Sequence, residues 1–131
     1  MNRRTCLRSL LLGASFVACD ATTHLAAANP PPNEAAVIDR LIARVAAMND
    51  MVFIRNGSEA PADTAAQHLR DKYQYFRDEI VSAEDFIRLC GTRSEVTHEP
   101  YRVRFPSGRE RPASEVLHEE LRAIRRQSKS G

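Results

Sequence analysis

The sequence predicts a mostly helical α+β domain: about four helices packed with one small β-hairpin. Three observations carry this reading. Apolar residues recur at helical spacing in several stretches, "YRVRF" from Tyr101 to Phe105 alternates strictly, and Pro, Asn-Gly and Pro-Ser-Gly punctuate the intervals between them.

The first helix is expected after Asn33, a good N-cap, with Ile38, Leu41, Ile42 and Val45 on one face and an end near Met48. "MVFI", Met51 to Ile54, reads as a short extended segment, and Asn56-Gly57 turns the chain after it. Pro61 opens a second helix whose expected buried stripe is Ala65, Leu69, Tyr73, Phe76 and Ile80. "SAED", Ser82 to Asp85, has the form of a capping box with aspartate in the reciprocal position. Ala83, Phe86, Ile87 and Cys90 then share a face, and Gly91 closes that helix. Tyr101, Val103 and Phe105 form the inward side of a half-buried strand, Pro106-Ser107-Gly108 turns it into a hairpin, and a last helix buries Val116, Leu117, Leu121 and Ile124. The domain spans residues 34–126, and 127–131 reads as a frayed tail.

Residues 1–18 have the pattern of a signal peptide: Arg3, Arg4 and Arg8 precede an uncharged stretch containing Leu10, Leu11 and Leu12. That stretch is shorter than the ~20 apolar residues of a spanning helix. Two cleavage outcomes are open. "SFVAC", Ser15 to Cys19, resembles a lipobox, which would make Cys19 a lipid anchor; cleavage as late as residue 28, after three alanines, would release the chain. Residues 19–33, with three consecutive prolines, read as a Pro/Ala-rich linker. The expected location is therefore periplasmic, membrane-tethered in the lipoprotein case.

Charge and cysteine use narrow the function. Residues 1–28 hold three arginines and one aspartate of the chain's 19 basic and 17 acidic residues, so the remainder is neutral and has no bulk attraction for nucleic acid. Cys90 is the one cysteine in the expected domain, which rules out a disulfide within it; on an apolar face near a helix C-terminus it is a poor nucleophile. His68, His98, His118 and Cys90 have no metal-ligand spacing on one element, so no metal and no cofactor is expected. Gly-x-Ser-x-Gly, P-loop and dinucleotide fingerprints are absent. Glu84-Asp85 and Glu119-Glu120 are adjacent helical carboxylates that point apart.

Two polar constellations remain. In "VFIRNGSE" the apolar run ends in Arg55, Asn56 and Gly57, where positive φ is suited. His68 and Lys72 lie one helical turn apart, and the fold can bring them beside Arg55 as a small basic pocket; the competing reading is that Arg55 and Asn56 pin the following loop to the next helix. Arg102 and Arg104 project from one face of the expected strand, with Arg109 or Arg111 nearby, as an anion patch or as a solvated face balanced by Glu95, Glu99 and Glu110.

"FIRNGSE", "AAQHLRDK" (Ala65 to Lys72), "SAEDFI" and the spacing Ser94, Thr97, Pro100, Tyr101, Val103 together resemble the YfeK-like family of small exported bacterial proteins, a domain family without assigned function. The likeness runs from about residue 38 to 124. It implies a periplasmic location and marks Arg55, Asn56, Gly57, His68, Leu69, Lys72, Ser94, Pro100 and Tyr101 as matching positions. Pro61 and the arginine-rich hairpin depart from the pattern. The leading expectation is a noncatalytic envelope module that binds an unknown envelope protein or a small anionic ligand. The other is a small hydrolase or transferase acting on an envelope component, with His68 as general base and Arg55 as anion clamp.

Overall fold

A computed structural model describes residues 29–131; the expected signal peptide, its cleavage points and Cys19 lie outside the described residues. Helix α1 (Pro32–Ala46) leads into strands β1 (Val52–Arg55) and β2 (Ser58–Ala60). Helices α2 (Ala62–Tyr75) and α3 (Ala83–Cys90) follow, then β3 (Arg102–Arg104), β4 (Glu110–Pro112) and α4 (Ala113–Lys129). The α+β class and the four helices match the expectation, but the single hairpin does not. The four strands make one antiparallel sheet in the order β2-β1-β3-β4.

The sheet arises from two local turns and one distant pairing. Asn56 and Gly57 have φ of 51° and 76°, the positive values that a two-residue hairpin turn of the primed type demands, and they set Arg55 opposite Ser58. The same arrangement turns the segment read as merely extended into a strand with a return partner. β1 then pairs with β3, placing Phe53 opposite Val103, and β3 pairs with β4, placing Val103 opposite Arg111. Phe53, Ala60 and Val103 therefore share the inner face, while Ile54, Glu59, Arg102, Arg104 and Glu110 share the outer one.

Ile38, Leu41, Ile42 and Val45 of α1 are buried against α2, α3 and α4 as their spacing implies. A cluster under the sheet contains Tyr101, Val103, Ala113 and Val116, and Phe53 packs against both it and the helical cluster. Ala113 also joins Val116, Leu117, Leu121 and Ile124 on the buried face of α4. That helix continues through the stretch read as tail, where Gln127 accepts a hydrogen bond from Arg44 at 3.0 Å.

Two helix boundaries here differ from the sequence reading. Pro31, not Asn33, is the N-cap of α1, because Pro32 at the first helical position is preset for a helix and holds the residue before it extended. α2 ends at Tyr75, and a 3-10 turn over Arg77–Glu79 redirects the chain before Ile80. The buried stripe of α2 is consequently Ala62, Ala66, Leu69 and Lys72, with Ala65 and Tyr73 half-buried beside it. The start of α3 is held twice: Ser82 Oγ accepts from Asp85 N–H at 3.1 Å, and Glu34 of α1 accepts from Ala83 N–H at 2.8 Å. Arg125 of α4 donates to both Glu34 and Glu84, which holds the Glu34 carboxyl below its ordinary range and fastens three helices at one end.

Gly91 caps α3 with φ of −111°, outside the left-handed region, so its conformation does not require glycine. Its surroundings constrain it instead: a Cβ there would overlap Leu117 Cδ1, so that methyl has to move. Gly57 is the reverse case, with open space around it but φ of 76°. Gly91→Ala is expected to cost about 1–3 kcal/mol by overpacking, and Gly57→Ala about 1–2 kcal/mol by backbone strain alone. Urea unfolding of Gly91→Ala, Leu117→Ala and the pair checks the first: the double variant should lose less than the sum of the singles.

Candidate functional site

Arg55, His68, Lys72 and Tyr101 are brought together where the end of β1, the middle of α2 and the start of β3 meet. Arg55 Nη1 donates to His68 Nδ1 at 2.8 Å. His68 Nε2 lies 3.2 Å from the Tyr101 hydroxyl, and Lys72 Nζ donates to the same hydroxyl at 3.3 Å. Arg55 Nη1 also lies 3.3 Å from Nε2; a guanidinium has no acceptor, so the shorter contact favours Nδ1 as the bare nitrogen and Nε2 as the carrier of the hydrogen that Tyr101 accepts. Tyr101 thus accepts from both His68 and Lys72, and its own O–H hydrogen is left for a further partner.

Charge environment follows from this packing. Burial lowers the pKa of His68 from its ordinary value of 6.5, and Arg55 and Lys72 push it further in the same direction. Burial likewise raises the Tyr101 phenol, an effect that Arg55 partly offsets. Lys72 is lowered chiefly by burial, against the opposing pull of Glu95 at 3.7 Å. Lys72 also donates to Arg93 C=O at 3.1 Å and lies 5.6 and 5.2 Å from the ring centroids of Phe76 and Tyr101. Arg55 itself is exposed, and among the described residues it forms no salt bridge.

The other expected site residues shape the neighbouring loop. Asn56 Oδ1 accepts from Thr97 Oγ1 at 2.5 Å, fastening the β1–β2 turn to the segment before β3. Ser94 is buried and its Oγ accepts from the N–H groups of Val96 and Thr97, so it closes that loop on itself. Arg102 and Arg104 stand apart on the outer sheet face. Arg102 pairs with Glu110 at 3.0 Å, and Arg104 with Glu59 at 2.6 Å and Glu110 at 3.2 Å. Arg111, expected beside them, lies on the opposite face because it pairs with Val103, and it engages Glu119 of α4. Cys90 is fully buried, and burial pushes its thiol up to about 12.

A cavity that no sequence pattern announces lies between the sheet and the helices. It measures about 90 Å³, and Phe53, Ala65, Leu69, Val103, Val116 and Leu117 are among its apolar walls. Small side chains at Ala60, Ala65 and Ala113 leave the space, while Arg55, Thr64, His68 and Tyr101 also border it. Left empty, a void of that size costs on the order of 2 kcal/mol. Among the described residues no three His, Cys, Asp or Glu side chains gather as a metal would require, and no helix is long and apolar enough to cross a membrane.

Residues 32–125, from the start of α1 almost to the end of α4, match DUF5329, a family of unknown function. The chain belongs to that family. The uncharacterized protein YfeK of Salmonella typhimurium is 35% identical to it over 74 residues, covering 56% of this chain and 62% of the relative. The chain thus spans less than two thirds of the length of the curated relative it matches, and the expected YfeK-like resemblance is borne out. No solved structure matches this DUF5329 chain.

The lowered His68 pKa gives the DUF5329 domain a pH dependence with a definite sign. The unfolded chain takes up this proton before the folded one does, so stability is complete above about pH 6.5 and falls as pH drops towards the folded-state value. Urea unfolding at about pH 7.5 and about pH 5.5 should show this loss in the wild type and a smaller one in His68→Gln.

Proposed function

We propose that this DUF5329 domain is a noncatalytic binding module whose Arg55 end receives an anionic group. The observation that carries the reading is an exposed guanidinium held by an imidazole rather than by a carboxylate. A neutral acceptor orients the arginine and leaves its charge uncompensated, whereas Arg104, Arg111 and Arg125 spend theirs on glutamates. Lys72 adds a second cation behind Tyr101, and the phenol hydrogen is a further donor.

The hydrolase or transferase reading needs His68 as a base. Its Nδ1 holds Arg55 and its Nε2 holds Tyr101, so the arrangement lends that reading no support. We place the module in the bacterial envelope, free or tethered through Cys19, on the strength of the arginine-led apolar segment in residues 1–18. Its partner in this reading is an envelope protein presenting a carboxylate or phosphate, or a small anion itself.

Two measurements test these statements. Inorganic phosphate or acetate should shift the NMR signals of Arg55 and His68, and Arg55→Gln should weaken binding roughly tenfold or more, the worth of a hydrogen bond to a charged group. That variant should melt close to wild type, within about 0.5 kcal/mol, as an exposed substitution does; unchanged affinity would remove Arg55 from the site. The intact mass of the exported protein should correspond to a diacylated start at Cys19 or an unmodified start at Asn29. A chain retaining Met1 in the cytoplasm overturns the envelope assignment.

A further inference from the structure

We infer that the anion bound at Arg55 is the carboxylate of a short amphipathic molecule, an alkyl or aryl carboxylate whose apolar end enters the cavity between the sheet and α2 and α4. The inference deepens the anion-binding reading and rests on it. What it adds is the occupant of the apolar space, and three features identify that occupant.

First, the charged residue and the apolar space adjoin: Arg55, His68 and Tyr101 line the same cavity as Phe53, Leu69 and Leu117, and because its surface is almost wholly apolar they meet it through their carbon atoms, with their polar atoms at its edge. The exposed members of its lining are Arg55, Thr64 and Arg102, so the cavity meets solvent on the side where Arg55 stands. A ligand with a charge at one end and hydrocarbon at the other satisfies both regions at once. A phosphate or acetate alone would leave the apolar part empty, and a neutral hydrocarbon would leave the guanidinium unmatched.

Second, size sets the class. About 90 Å³ is smaller than the ~150 Å³ apolar cavity that takes up benzene, so the buried portion is a few carbons rather than a long acyl chain. Third, the space comes from small residues on three different elements: Ala60 on β2, Ala65 on α2 and Ala113 on α4. A larger apolar side chain at Ala65 would fill it from a helix that leucine suits, without touching the hydrogen bonds of Arg55 or Tyr101.

The test titrates acetate, butyrate, hexanoate and neutral hexanol into the full chain and follows methyl NMR signals of Leu69, Val103 and Leu117 with the side-chain signal of Arg55. Affinity should rise about fourfold per methylene from acetate until the cavity is full. Hexanoate should bind at least tenfold more tightly than hexanol, and Arg55→Gln should remove most of that difference. Ala65→Leu should keep acetate binding and abolish the gain from chain length; if it does not fold, Ala60→Val serves the same purpose from the strand. Equal affinity for acetate and hexanoate overturns the inference and leaves the anion site standing. Equal affinity for hexanoate and hexanol, or Arg55→Gln binding like wild type, overturns the anion reading and this inference with it. Absence of any shift with all four compounds at millimolar concentration overturns both.

Discussion

The hydroxyl of Tyr101 is the junction on which the rest of this domain hangs. Its ring lies in the apolar cluster beneath the sheet, its N–H donates to Thr92 C=O at 3.0 Å, and its C=O accepts from Ala113 N–H at 2.8 Å. The backbone of this one residue thus ties the loop after α3 to the start of α4. Its hydroxyl extends the tie to α2 by accepting from His68 and Lys72. A phenol suits this place because it is apolar along its body and polar at its tip, so it can cross from core to site with its oxygen accepting two hydrogen bonds.

Lys72 shows what such a junction makes tolerable. A buried ammonium is costly unless its donors are used. Here they meet a carbonyl, a phenol and a partly exposed carboxylate, with two aromatic faces nearby. The same side chain would be out of place on the buried stripe of α2 if the loop carrying Arg93 and Glu95 did not close over it. Site and loop are therefore one structure: Asn56 and Thr97 join the β1–β2 turn to that loop, and Ser94 holds the loop's shape.

Several other arginines are matched by glutamates. Glu59 and Glu110 take up Arg104 and Arg102 on the outer sheet face, Glu119 takes Arg111, and Glu34 with Glu84 takes Arg125. Surface pairs of this kind add little stability singly. Arg55 differs from these arginines in having an imidazole as its partner, so its guanidinium charge stands uncompensated beside an apolar opening.

The sequence by itself determined the helices, because a 3.6-residue period in Ile38–Val45, Ala83–Cys90 and Val116–Ile124 specifies which side of each helix is buried. It also determined the inward set of β3, through strict alternation, and the turn at Asn56-Gly57, through the φ those residues accept. The grouping of Arg55 with His68 was legible from the same chemistry. Only tertiary structure decided the rest. β2 carries no strand signal in Ser-Glu-Ala and exists because the turn delivers it to β1, while the β1–β3 pairing joins segments about fifty residues apart, which no local pattern encodes. The outward ion pairs required the register between strands, and the cavity required three alanines on separate elements to face one another. Periodicity reports which side of an element is apolar; it does not report what that side will meet.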